Sequence, residues 1–238
     1  MNGKIGVIIP AGGNGSRMGG IYKPLEKLCG KEMLCYSLET FQNNSDVAFV
    51  VISAKEDKIE DIENLCKKYG YSKVKLVVKG GNDRQSSVEN AFRCGLFDGD
   101  ETEYVAIHDA ARPLFDGKMA EKVFTAVKEK KSSVCACRVR DTVKRTDVDC
   151  VVNGNVDRDN LWLIQTPQVF AKELYSRALD YANAQGFSAT DDSSLIINLG
   201  EKVNLCEMPS SNIKVTFPED VFLAEAILRY RKDVKVCE

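Results

Sequence analysis

Five short apolar runs, the first four each followed by a stretch patterned for a helix, constrain this chain more than any other feature. The runs are KIGVII (4–9), DVAFVVIS (46–53), KVKLVV (73–78), EYVAIH (103–108) and SVCACRV (133–139). Most are continuously apolar, the pattern of strands buried on both faces rather than one. EMLCYSLETF (32–41), DKIEDIENLCKKYG (57–70), SSVENAFRCGLF (86–97) and GKMAEKVFTAVKEKK (117–131) carry apolar residues three and four apart, the spacing of a helix with one buried face. Repeated β-α units predict an α/β fold, a mostly parallel twisted sheet with helices on both faces. At 238 residues, with no repeat, low-complexity tract or linker, the chain reads as a single domain over 1–238.

After residue 139 the rhythm changes. RDTVKRTDVDCVVNGNVDRDNLWLIQTPQVF, with turn-like NGN at 153–155, reads as an extended hairpin, an arm over about 138–168. Helices follow at 171–186 and 192–199, then short strands near 202–207 and 212–216. A closing helix, PEDVFLAEAILRYRK, opens with Pro218 and acidic neighbours in its first turn.

Composition narrows the chemistry. Lys and Arg number 33 against 35 Asp and Glu, so there is no basic field for wrapping nucleic acid. An anionic ligand must be held by a few placed cations. His108 is the only histidine, which argues against hydrolases that use a histidine base and excludes metal sites built on imidazole. The nine cysteines show no C-x-x-C pair and read as reduced thiols, mostly small core residues. The first apolar run stops at Pro10, too short for a secretory segment or a membrane span. The expectation is a cytoplasmic protein without nucleic-acid or membrane partners.

In parallel sheets ligands sit beyond the carboxyl ends of the strands. Three loops there are rich in glycine and charge: PAGGNGSRMGGIYKP, GGNDRQSSV and HDAARP. The first fails the dinucleotide fingerprint, because with Gly13 and Gly15 as its first glycines Met18 stands where the third belongs. It also lacks the G-K-[ST] ending of a P-loop. Gly12, Gly13 and Gly15 would let backbone N–H groups approach phosphate oxygens, with Arg17 and Lys23 as cations. Taken alone, the loop is either such a cradle or an ordinary turn. Asp109 is placed to hold Mg²⁺ between phosphates or to cap the next helix. His108 beside it reads as a hydrogen-bonded strut. Asp191 and Asp192 in ATDDSS read as helix cap and first turn, with a second acidic site as the alternative. Lys214 in NIKVT falls mid-strand, a snorkelling edge lysine unless its neighbours give it a role.

In order along nearly the whole chain, PAGGNGSRMG, GGNDRQSSV, HDAARP, RDTVKR, VDRDNLW, TPQVF, ATDD and NIKVTFPED resemble the 2-C-methyl-D-erythritol 4-phosphate cytidylyltransferases of the non-mevalonate isoprenoid pathway. The resemblance implies a Rossmann-like nucleotidyltransferase fold, a homodimer clasped through the extended arm, and cytidylyl transfer from CTP to methylerythritol phosphate with Mg²⁺. It assigns Arg17, Lys23 and Lys214 to catalysis and Asp109 to the metal. Ala11, Gly12, Gly13, Gly15, Gly81, Asn82, Arg84, Ser87 and Ala110 would meet CTP. Arg112, Thr142, Arg158 and Thr190 would meet the acceptor, some of them from the partner's arm. Two departures stand out: YKP replaces the usual PKQ, with one residue fewer between arginine and lysine, and Asn82 stands where an aspartate is frequent. A ribitol or ribulose phosphate cytidylyltransferase, or a non-catalytic nucleotide-binding protein of the same fold, is the alternative.

Overall fold

The computed structural model describes residues 3–13, 20–99 and 101–236, and side chains as far as 233. The strands are β1 (Ile5–Pro10), β2 (Lys27–Leu28), β3 (Lys31–Glu32), β4 (Val47–Ala54), β5 (Val74–Lys79), β6 (Tyr104–Ile107), β7 (Ser132–Arg138), β8 (Lys144–Thr146), β9 (Val152–Asn155), β10 (Trp162–Ala171) and β11 (Leu205–Glu207). The α-helices are α1 (Met33–Gln42), α2 (Ile59–Tyr69), α3 (Arg84–Phe92), α4 (Gly117–Lys130), α5 (Lys172–Gln185), α6 (Asp192–Asn198) and α7 (Pro218–Val236).

The described residues form a seven-stranded sheet in the order β11-β7-β10-β6-β1-β4-β5. β1, β4, β5 and β6 pair in parallel, as do β7 and β11, and β10 runs antiparallel to both its neighbours. Both faces are covered, as the unbroken apolar runs require. Ile5, Val7 and Ile9 of β1 pack with α1, α2 and α4, and Ile8 packs on the opposite face with α3, α5 and α6. Gly6 lies on that second face, where a Cβ would come within 2.4 Å of the Phe97 ring and 2.9 Å of Phe49. The strand gives up a side chain there so that two aromatic rings can meet at 5.0 Å.

Local signals set the element ends. Asp83 caps α3 through a capping box with Ser86, Asp116 caps α4, and Asp191 caps α6. Gly70 closes α2 at φ 71°, a backbone region that costs glycine nothing. α3 stops at Phe92, and residues up to 97 form turns, so the helix is shorter than its apolar spacing predicts.

Three expectations are corrected. Residues 162–168 are not arm: they belong to β10, inserted between β7 and β6 in the main sheet. The hairpin that leaves the body is β8-β9, and NGN lies within β9. The turn is made at 147–151, where the Asp147 carboxylate accepts from Asp149 and Val151 N–H and Cys150 adopts φ 63°. Third, 212–216 forms no strand. That segment is pinned at two points, by Val215 N–H donating to the Ala111 carbonyl and by buried Asn212 donating to Gln165 Oε1 and the Thr166 carbonyl. Side-chain anchors replace a strand ladder.

Candidate active site

The chain order places the site. From β1 the chain runs outward through β4 to β5, then returns to the other side of β1 as β6, so the loops after β1 and β6 diverge at a switch point. Backbone pairing continues past the strand ends: Ala11 N–H donates to Ser53, Gly80 to Ala54 and His108 to Ile8. The three glycine- and charge-rich loops therefore leave the same end of the sheet, those after β6 and β1 from neighbouring strands and that after β5 from one strand beyond β4.

They enclose a cleft of about 370 Å³. Ala11, Gly12, Gly13, Lys23, Gly81, Asn82, Arg84, Ser87, Asp109, Ala110 and Lys214, each named from the sequence, all line it. Gly15 and Arg17 lie outside the described residues. The sequence reading missed Pro10, Pro24, Asp83 and Ala111, whose side chains carry no charge signature or are spent on a cap. Gly81 is a glycine because a Cβ there would stand 2.2 Å from Ser86 Oγ and 2.8 Å from the Ser86 backbone. Its N–H donates to Ser87 Oγ at 3.0 Å, which in turn donates to the Asp83 carbonyl at 2.6 Å. The loop is thus wired to the start of α3, whose first residue is Arg84.

At the cleft floor three charges meet. Asp109 Oδ2 accepts from Lys214 Nζ at 2.6 Å and Oδ1 from Arg84 Nε at 3.2 Å. Burial opposes ionisation of Asp109, but the charges of Arg84 and Lys214 outweigh it and hold its carboxyl well below the usual range. Lys23 reaches the same region, donating to the Val215 carbonyl at 3.2 Å, next to Lys214. Lys214 is steered there by the anchors at 212 and 215 rather than by a strand. His108 is fully buried between Phe41 and Phe115, its ring nitrogens 3.1 Å from Ser37 Oγ and 3.3 Å from Thr166 Oγ1. Burial pulls its pKa down to about 3, so it is a neutral strut at working pH.

A second cleft, about 620 Å³, opens on the other side of this floor. Arg84, Asp109 and Lys214 line both clefts and form the seam between them. Arg112 and Thr190 line the second. Arg112 is buried, donating to the Asn212 and Ile164 carbonyls, and burial lowers its pKa while the nearby Asp109 charge partly offsets that. A bulge in β10 between Ile164 and Gln168 brings Gln165, Thr166 and Gln168 to this wall. The TPQVF motif flagged the segment, but strand alternation cannot foretell a bulge. Thr142 and Arg158 lie on the exposed β8-β9 side, outside both clefts of their own chain, with Arg158 Nη1 donating to the Arg140 carbonyl.

The described residues hold no cluster of three or more metal-ligating side chains. The one ionised carboxylate at the seam is Asp109, and Mg²⁺ is commonly held by one or two carboxylates plus substrate phosphates. One carboxylate with substrate phosphates is a donor set of that kind, although both Asp109 oxygens are paired with Arg84 and Lys214 in this structure.

The model of the 2-C-methyl-D-erythritol 4-phosphate cytidylyltransferase family matches residues 5–230. The chain is 37% identical over 227 residues to the Bacillus cytotoxicus protein of that name, covering 95% of this chain and 98% of the other. It is also 37% identical to the Caldanaerobacter subterraneus protein of the same name, covering 94% and 99%. The structure superposes on the 4-diphosphocytidyl-2C-methyl-D-erythritol synthase of Anaerococcus prevotii with a TM-score of 0.82 at 28% identity, over 96% of this chain and all of that one. The Thermus thermophilus cytidylyltransferase structure gives a TM-score of 0.75 at 28% identity, over 95% and 99%. A seven-stranded nucleotidyltransferase sheet, two clefts meeting at a Lys-Asp-Arg seam and this likeness over almost all of its length lead to one conclusion: the chain belongs to the 2-C-methyl-D-erythritol 4-phosphate cytidylyltransferase family.

Proposed function

We propose that the two clefts bind the two substrates of one displacement, with CTP in the first and the acceptor in the second. The chain is a cytidylyltransferase, transferring the cytidylyl group of CTP to 2-C-methyl-D-erythritol 4-phosphate and releasing pyrophosphate. The observation that carries the arrangement is the seam: Arg84, Asp109 and Lys214 face both clefts, where the reacting phosphates must meet.

The acceptor phosphate is already an anionic nucleophile near neutral pH, so no side chain has to remove a proton from it. One of its oxygens attacks the α-phosphorus in line, and the bond from that phosphorus to the β-phosphate bridging oxygen breaks. The bonding pair leaves with pyrophosphate. Catalysis then consists of positioning the two anions and neutralising charge as it builds on the α-phosphate and the leaving group. Lys214 serves the α-phosphate. Lys23 and Arg17 grip the triphosphate, and the backbone of Ala11, Gly12, Gly13 and Gly15 lies along it. Gly81, Asn82, Arg84 and Ser87 frame base and ribose, with Ala110 beside the nucleotide.

A divalent cation such as Mg²⁺, which Asp109 would hold with phosphate oxygens, supplies further neutralisation of the triphosphate. Arg112 and Thr190 bind the acceptor from this chain. Thr142 and Arg158 bind it from the arm of a second copy in a cytoplasmic homodimer, which accounts for two acceptor residues far from their own cleft. No helix is long and apolar enough to cross a membrane among the described residues.

The test is pyrophosphate release from CTP with purified acceptors. Methylerythritol phosphate is expected to support turnover and ribitol phosphate not. The reverse preference would overturn the acceptor assignment, and release with neither would overturn the transfer reading.

A further inference from the structure

Behind the seam, a chain of groups with alternating charge runs from the cleft into the core. Lys214 pairs with Asp109, and Asp109 with Arg84. Arg84 Nη1 lies 2.7 Å from Asp192 Oδ2, an ion-pair contact off the N–H axis rather than an aligned hydrogen bond. Asp192 Oδ1 accepts from the Tyr175 hydroxyl at 2.8 Å. Asp192 is 2% exposed and Tyr175 fully buried, its ring stacked on Phe170 and edge-on to Phe92, the last residue of α3.

A carboxylate this deep is costly unless it is paired, and its one cationic partner among the described residues is Arg84. The capping of α6 does not account for it, since Asp191 supplies the cap. Nor does it touch either substrate cleft, because neither cleft wall includes Asp192. Arg84 itself is drawn two ways. Asp109 pulls the Nε edge toward the seam, and Asp192 holds the Nη1 end toward α5 and α6. Without the second pull, the guanidinium would be free to rotate onto Asp109 and compete with Lys214 for it.

We infer that Asp192 and Tyr175 are positioning residues, holding Arg84 in the orientation that leaves Asp109 shared with Lys214. The inference rests on the transfer reading above, which the unaltered chain's pyrophosphate release tests on its own. Two variants then test the positioning role, with a cycle against Arg84. Asp192→Asn keeps the volume and an acceptor for the tyrosine but removes the charge, and is expected to lower kcat/KM roughly ten- to hundredfold. Tyr175→Phe keeps the ring packing and loses one hydrogen bond to a charged group, and is expected to cost about threefold or more with little change in melting temperature. A purely structural role would add to the loss caused by Arg84→Ala. A positioning role would not, so Arg84→Ala with Asp192→Asn is expected to be no slower than Arg84→Ala alone. Multiplying losses in that double variant, or Tyr175→Phe at full activity, would overturn the inference. If Asp192→Asn does not fold, Tyr175→Phe combined with Arg84→Ala separates the two roles by the same comparison.

Discussion

Two glycines of the nucleotide cleft separate what the fold needs from what the ligand needs. At Gly81 an added Cβ would meet Ser86 Oγ at 2.2 Å, Ser86 Cβ at 2.5 Å and the Ser86 backbone carbon at 2.8 Å. Rotating the serine relieves only the first of these. The loop must move, and the capping box that starts α3 goes with it. Losing the cap costs about 0.5–2 kcal/mol and the overpacking about 1–3 kcal/mol. Gly81→Ala should therefore lower the melting temperature by roughly 3–20 °C, at about 2–4 °C per kcal/mol for a chain of this size. At Gly12 the added Cβ would meet only Ser87 Oγ at 3.7 Å, an ordinary contact, so Gly12→Ala should melt with the unaltered chain. In the proposed arrangement its methyl group would stand where phosphate oxygens approach the backbone. Losing one hydrogen bond to a charged group there should raise KM for CTP roughly tenfold or more. Scanning calorimetry and initial rates at varied CTP give both numbers. An unshifted melting temperature for Gly81→Ala would refute the steric argument, and an unchanged KM for Gly12→Ala would refute the cradle.

Lys23→Ala and Lys214→Ala should each lower kcat by about a hundredfold or more, as removing a transition-state donor does, and Lys214→Ala should also melt lower because buried Asp109 then keeps only Arg84 as an ion-pair partner among the described residues. Single-turnover rates near those of the unaltered chain would take either lysine out of the chemistry. His108 is neutral in the fold, with its pKa pulled down to about 3, and gains a proton only on unfolding below its ordinary value near 6.5. Stability should therefore fall by up to about 1.4 kcal/mol per pH unit as the pH drops from about 6 to 4.5, a window above that of the carboxylates whose pKa values are depressed. Urea melts at several pH values check this, and a flat profile would contradict the buried neutral ring. Arg158→Ala should raise KM for the acceptor and leave KM for CTP alone. Its mixture with Thr190→Ala should regain activity if the arm serves a partner's cleft, and kinetics no better than the average of the two variants would count against a shared site.

The sequence carried the sheet well because continuous apolar strands and three-four helical spacing are strong signals that both-face burial produces. It served for most of the first cleft, because the loops after β1, β5 and β6 that form most of its wall come together by topology. It failed where side chains do the work of backbone. Lys214 sits on a segment that looks like a strand by composition but is tied down through Asn212 and Val215. β10 looked like a limb of the arm because it continues the turn-like stretch around NGN, whereas it runs in the main sheet with a bulge between Ile164 and Gln168. Asp192 read as part of a helix start, and only the approach of α3 in space gives its second oxygen a partner.

The insertion of β10 beside β7 also bears on how such a chain can change. Arg138 and Trp162 are register partners, joined further by the guanidinium lying 4.4 Å over the indole ring. The residues between them depart from the body and come back to it at the same spot. Length can be added to or removed from that excursion without shifting a pairing in the seven-stranded sheet, so the hairpin can change in size while both clefts keep their geometry. Change in the hairpin is limited by what its own residues must touch, not by the framework that holds the Lys-Asp-Arg seam.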